Sequence, residues 1–319
     1  MRDSTSPATR RPLPDTFSTV LQDLRLSAAH YCQCEVAEPW GIDLPSKDEA
    51  TVHFVLSGRC WLEPNASDVP AVSLHAGDVV LLPRGRGHRL VSAPGGPARS
   101  LESLSPQQIG DTTYRLQTGG KGPKSRLVCC GVIFEEPRVH PLLELMPPVL
   151  HVREARRDSM LPSLLRAMAD ELTRQRVGSA TVITRLADIV VTHVVRSWIE
   201  SHRRETRGWL TALQDPQIGK ALAAFHEEPS RDWSLTSLAR IANLSRSVFS
   251  QRFAASVGMT PARYVARWRM HLATALLRTN QLTIEQVAER LGYSSESSFS
   301  RTFKRLIGTS PADFRKSAL

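Results

Sequence analysis

No uninterrupted apolar stretch of about 18 residues occurs in this 319-residue chain, so no transmembrane helix is expected. Nor does an apolar run follow the basic and polar start, residues 1–14, so no signal peptide is expected and the cytoplasm is the default. Cysteine is scarce: the five are odd in number, unevenly spread, and without the spacing of a secreted disulfide scaffold. Acidic charge is what the last hundred residues lack. Residues 216–319 hold 15 Lys/Arg against 7 Asp/Glu, while the preceding 215 hold 26 against 24, within a net charge of +10. A basic module suits a polyanion, because each neutralised phosphate releases condensed counterions. Merely solvated arginine faces would not concentrate the charge in one segment.

That basic segment contains one unit written twice. Leu235-Thr-Ser-Leu-Ala-Arg-Ile-Ala stands beside Ile284-Glu-Gln-Val-Ala-Glu-Arg-Leu, each a short amphipathic helix with a small residue, Ala239 or Ala288, where a second helix must approach. Each is followed by a polar turn and a serine-rich helix opening. Each closes on an aromatic and a glycine (Phe253 and Gly258, Phe303 and Gly308) and then on a hydroxyl-proline pair, Thr260-Pro261 or Ser310-Pro311. Two helix-turn-helix units in tandem on a basic chain point to duplex DNA read at two places.

The rest of the chain divides by its periodicity. Residues 1–14, rich in Ser, Thr, Pro and Arg, read as a disordered arm. From about Ala29 to Pro137 short strands are expected, among them His30–Val36, Thr51–Leu56, Cys60–Leu62 and Val79–Leu82. The turns at Ser57-Gly58, Ala76-Gly77-Asp78 and Pro83–Gly87 suit a sandwich or barrel. Thr118 to Ser125 reads as a flexible hairpin loop or an insertion. After Leu143 the period lengthens: Leu161, Leu164, Leu165, Met168 and Leu172 mark an amphipathic helix, interrupted at Gly178. A second helix carries Ile183, Leu186, Ile189, Val190, Val194, Val195 and Trp198, an apolar face wide enough for a dimer surface or for covering the barrel. Residues 201–207 suit a linker.

From about Asp215 to Arg315 the chain resembles the AraC/XylS transcription regulators. The residues that carry the likeness are Ile241–Phe253, Gly258-Met-Thr-Pro, Leu291–Lys304 and Gly308-Thr-Ser-Pro. The resemblance implies seven helices in two subdomains, joined by one long helix near Ala262 to Leu277. It places Ser247, Ser250 and Gln251 of the first recognition helix, and Ser297, Ser298 and Arg301 of the second, toward base edges. Arg301 suits guanine O6 and N7, and Gln251 suits adenine. Arg246, Lys304 and Arg305 are better placed for phosphates, which position without reading sequence.

Over roughly Leu24 to Val139 the chain resembles cupin barrels, most strongly at Gly77-Asp-Val-Val-Leu-Leu-Pro-Arg-Gly-Arg-Gly-His88. In metal cupins the last histidine joins two more and a glutamate. Here His53 is followed by Val55 where the second would stand, and Ser57-Gly58 occupy the stretch the glutamate needs. A metal-dependent enzyme would require two histidines, a carboxylate and open positions. His53 and His88 therefore read as hydrogen-bonded structural histidines, or as part of a reduced site completed by a cysteine. No cofactor is expected.

The cysteines offer a second sensing chemistry. Cys32 and Cys34, two apart on a strand, share a face. Cys60 follows Arg59, and Cys129-Cys130 end another strand, with Cys130-Gly131 resembling a pair recurrent in cupin-bearing regulators. Arg59 and Arg126 would lower nearby thiol pKa values. The alternative is that these thiols are small hydrophobes.

The expected protein is multidomain α and β. A cupin-type β-barrel sensor (15–150) follows the arm and leads through a helical dimerisation segment and linker (151–207) to an all-α double helix-turn-helix domain (208–319). Its expected partners are double-stranded DNA, a second copy of itself, a small-molecule effector or oxidant, and RNA polymerase. Two other function classes stay open: a cupin metalloenzyme tethered to DNA, and an architectural binder without sequence preference.

Overall fold

In a computed structural model of the chain, the described residues are 26–134, 146–153, 160–201 and 215–317, apart from 67, 175 and 280, with 143 and 212 in addition. The proposed arm and the 202–207 part of the linker lie outside them. The chain divides into two units, one of residues 24–205 and one that includes 206–319.

In the first unit apolar alternation builds twelve strands. They are β1 (Leu26–Ala37), β2 (Gly41–Leu44), β3 (Ala50–Ser57), β4 (Arg59–Pro64), β5 (Val72–His75), β6 (Val79–Leu82), β7 (His88–Val91), β8 (Arg99–Ser100), β9 (Gln107–Gly110), β10 (Thr113–Gly119), β11 (Lys124–Phe134) and β12 (Leu150–Val152). A seven-stranded sheet runs β12-β6-β3-β11-β1-β10-β9, and a five-stranded sheet runs β5-β4-β7-β2-β8. Their inward residues, including Trp40, Ile42, Val55, Leu62, Leu74, Leu82, Leu90 and Leu127, interlock as a filled core.

The alternation along β11 explains why that strand reads as nearly continuous apolar text. Leu127 and Cys129 pack inward, while Val128, Cys130 and Val132 face away. Helices α1 (Leu161–Arg174) and α2 (Ser179–Ser201) cover this outer face, with Leu165, Met168, Ala187, Val190 and Val191 against Val52, Phe54, Val128, Cys130 and Val132. Gly178, at φ +80°, separates the two helices. Much of the wide apolar face of α2 is thus spent on the sheet.

Two local expectations are corrected. The segment after Thr118 is not a hairpin: β10 and β11 both pair with β1, from opposite sides, so the connection passes the end of β1. Cys129 and Cys130 lie within β11 rather than at a strand end, because pairing with both β1 and β3 extends that strand through Phe134.

The second unit contains seven helices among its described residues, excepting Ala212: α3 (Ile218–Glu227), α4 (Leu235–Ile241), α5 (Arg246–Val257), α6 (Pro261–Arg278), α7 (Ile284–Arg290), α8 (Glu296–Ile307) and α9 (Pro311–Ser317). Their starts are written in hydroxyls. Ser234 and Thr283 make reciprocal capping boxes with Ser237 and Gln286, and Ser245, Thr260 and Ser295 accept the orphan amides of α5, α6 and α8. Recognition helices α5 and α8 both stop at a left-handed glycine, Gly258 at φ +79° and Gly308 at φ +100°, where a Cβ would be strained.

Each half has its own aromatic core. Phe249, Phe253 and Tyr264 meet edge-on or tilted in the first, and Phe299, Phe303 and Phe314 in the second. The shared strut is α6, whose 18 residues span about 27 Å. Buried Arg269 on α6 bonds to both halves. It donates to Pro229 O (2.9 Å) and Arg231 O (2.7 Å) before α4, and to Gly292 O (3.4 Å) in the turn between α7 and α8.

Candidate nucleic-acid interface and sensor site

On α5 the buried Phe249 and Phe253 turn the opposite face outward, leaving Arg246, Ser247, Val248, Gln251 and Ala255 exposed. Ser247 sits 3.3 Å from the capping hydroxyl of Ser245. Ser250 is half-buried and lines a cavity of about 300 Å³ with Trp233, Pro261 and Tyr293, so it stands apart from the exposed stripe. Arg252, partly exposed, is tied to the residues at the start of α3. It donates to Asp215 (2.6 Å) and Gln217 (2.7 Å), while Gln217 donates to Ala242 O in the turn before α5 (3.1 Å). This network fixes the first recognition helix against the start of α3.

On α8 the exposed residues are Glu296, Ser297, Arg301, Lys304 and Arg305, with Ser298 half-buried at the first turn. The amide of Ser298 donates to Ser295 Oγ (3.2 Å), and its carbonyl accepts from Thr302 (3.0 Å). Phe249/Phe299, Phe253/Phe303 and Gly258/Gly308 all repeat at an interval of 50, so the counterpart of Ser298 is Val248, not Ser250. Val248 is 42 % exposed on the recognition face. Its place is legible from the interval of 50, which pairs it with Ser298.

Inside the barrel, cross-strand register gathers the sensor candidates. Cys32 on β1, Cys129 on β11 and His53 on β3 occupy one row, and Cys34 is two residues along β1 on the same face. Cys34 Sγ lies 3.6 Å from Cys32 Sγ and 3.8 Å from Cys129 Sγ. Cys60 is fully buried elsewhere in this core, and Cys130 faces the helices instead.

The thiols are not acidified as expected from Arg59 and Arg126. Burial pushes Cys60 and Cys130 up to about 12, with Asp78 and Cys32 respectively adding to it. Cys32 is raised by its hydrogen bond with Cys34 and then by burial; Cys34 is raised by its bond with Cys129, against a lowering from Cys32, and by burial. At Cys129 the bond with Cys34 pulls downward, but burial and the neighbouring thiols leave it raised. The reason is the pleat: Arg59 precedes inward Cys60, and Arg126 precedes inward Leu127, so both guanidiniums leave on the solvent side.

His53 Nε2 and His88 Nε2 are 2.7 Å apart, and His88 Nδ1 is 2.9 Å from Arg86 O. Burial keeps both rings neutral, and because Arg86 O accepts from Nδ1–H of His88, its Nε2 is the acceptor for His53 Nε2–H. The Pro83–Gly87 corner sets this geometry. At Gly85, φ +54°, a Cβ would fall 2.0 Å from Glu49 O, which only glycine avoids. Burial first, and then the facing ring, hold the His53 pKa well below its ordinary value; burial also lowers His88. The donors do not fit a metal cupin. Among the described residues no three His, Cys, Asp or Glu side chains are arranged to hold a metal ion.

No helix among the described residues is long and apolar enough to cross a membrane. A family profile described as Cupin matches residues 15–200, and one described as Helix-turn-helix domain matches residues 238–317. Over 310 residues the chain is 32% identical to an AraC-like transcription regulator of Streptomyces lividans, an alignment covering 96% of this chain and 98% of that one. Over 309 residues it is 29% identical to the HTH-type transcriptional regulator AlkR of Acinetobacter baylyi, covering 95% and 99%. Among solved structures, the DNA-binding domain of AdpA in complex with a target DNA is 30% identical, covering 32% of this chain and 92% of that one at a TM-score of 0.31. The chain belongs to the AraC family of transcription regulators, with a cupin domain followed by a helix-turn-helix domain that binds DNA.

Proposed function

We propose that the protein is a dimeric, cytoplasmic, sequence-specific regulator whose cupin domain responds to a small-molecule effector or an oxidant and so alters promoter binding, with RNA polymerase as a further partner. The observation that carries the DNA-reading part is the pair of exposed stripes, on α5 and α8, repeated at an interval of 50 on one strut. Arg301 is the base reader of α8, while Arg246, Lys304 and Arg305 neutralise phosphates. Arg301→Ala weakens specific binding by about 1–3 kcal/mol and relaxes preference at one base position. Lys304→Ala weakens all duplexes alike and flattens the salt slope. Equal loss on every sequence for Arg301→Ala removes it from the base-reading set.

Support for the sensing part is the thiol cluster. Two of these thiols joining as a disulfide release two protons and two electrons, which reduce a hydroperoxide to an alcohol and water. Free cysteines on neighbouring strands also suit a reducing compartment. Support for the dimer is what α2 leaves outside: Val182 and Ile189 are 45% and 44% exposed, seven residues apart on one face.

A further inference from the structure

Resting on the DNA-reading assignment above, we infer that the two recognition helices read half-sites of different base composition: α5 an A·T-rich one, with Val248 against a thymine methyl, and α8 one that contains guanine. The outward stripe of α5 is Val248, Gln251 and Ala255, at i, i+3 and i+7, with Ser247 beside it. Seven residues of helix rise about 10.5 Å, which spans about three base steps of 3.4 Å. The hydrogen-bonding side chain in the middle of that stripe is an amide, which matches adenine N6 and N7; the residues at its two ends are apolar, which matches the thymine 5-methyl group. Val248 is spared from core duty, since Phe249 and Phe253 hold the helix.

At the interval of 50, α8 replaces Val248, Gln251, Ala254 and Ala255 by Ser298, Arg301, Lys304 and Arg305. Its stripe offers no apolar group, and it offers a guanidinium where α5 offers an amide. The one arginine in the middle of α5, Arg252, is held by Asp215 and Gln217. Arg246, exposed at the first residue of α5, is assigned to phosphate, so a bidentate arginine for guanine is available at mid-helix in α8 and absent from that position in α5. The same comparison sets Lys304 and Arg305 on α8 where α5 has two alanines, and Arg246 on α5 where α8 has Glu296.

Selection of the full-length protein on randomised duplexes, repeated with Arg301→Ala, identifies the α8 half-site as the block whose guanine preference relaxes. Deoxyuridine is then placed for thymine, one position at a time, in both blocks. At one position of the other block, loss of the methyl weakens wild-type binding about fourfold, while Val248→Ser is indifferent to the same change. Uracil in the α8 block has no effect. A G·C-rich α5 block, or a wild type indifferent to uracil throughout, overturns the inference while leaving the protein a sequence reader. Selection that returns no motif overturns the reader assignment itself.

Discussion

Burial decides what the titratable residues can do. Four histidines, His53, His88, His226 and His271, have pKa values lowered by desolvation, His226 to about 3 and His271 to about 4. A histidine whose folded pKa lies below its unfolded value of about 6.5 binds its proton better in the unfolded chain. Its stabilising contribution is therefore complete above that value and is lost as pH falls below it. Thermal unfolding followed from pH 7.5 to 5 should show a falling Tm for both units. A flat profile over that range contradicts the neutral, buried assignment.

The thiols carry the same argument with the opposite proton count. Raised pKa values leave little thiolate at neutral pH, so native protein should react with iodoacetamide far more slowly than unfolded protein, in which all five cysteines label. Rapid native labelling of Cys32 or Cys129 would contradict the burial account. An oxidant acting on this cluster works on thiols drawn together by register rather than on a pre-formed thiolate.

At the scale of elements, the helices were legible because their boundaries are local chemistry. Ser234, Ser245, Thr260, Thr283 and Ser295 each cap the helix that follows. The strands were legible from alternation, but their partners were not. That β1 runs parallel to β10 and antiparallel to β11 is a non-local fact, so spacing alone does not tell a hairpin loop after Thr118 from an insertion. Val248 escaped by a related route: an apolar residue next to a core phenylalanine reads as core until its helix phase is fixed. The convergence of Cys129 on Cys32 and Cys34 also needed strand register, whereas the shared face of Cys32 and Cys34 followed from their spacing.

Arg269 could not be read as anything but another basic residue, yet it ties the strut to both halves. Its three carbonyl partners lie on either side of the repeat. Arg269→Met keeps much of the volume and leaves those carbonyls unpaired, at a cost of about 2–4 kcal/mol. Denaturant unfolding of the full chain should report that loss, together with weakened binding to two-part sites. A variant that unfolds and binds like the wild type removes Arg269 from this role.

For the whole molecule, the basic charge and the repeat sit together in the second unit, while the first holds a filled barrel with buried or half-buried thiols and neutral histidines. The regulatory claim is that these are two ends of one coupling: a chemical event in the cupin changes the DNA affinity of the readers. The architectural alternative needs only the charge, and the enzyme alternative needs a donor set that His53 and His88 do not complete. Genome-wide occupancy of the protein, with and without a mild oxidant and across a panel of growth substrates, separates these readings most directly. The account predicts sharp peaks sharing a motif of two unlike half-sites about one helical turn apart, with occupancy that changes under at least one condition. Diffuse, sequence-blind occupancy under every condition would contradict it.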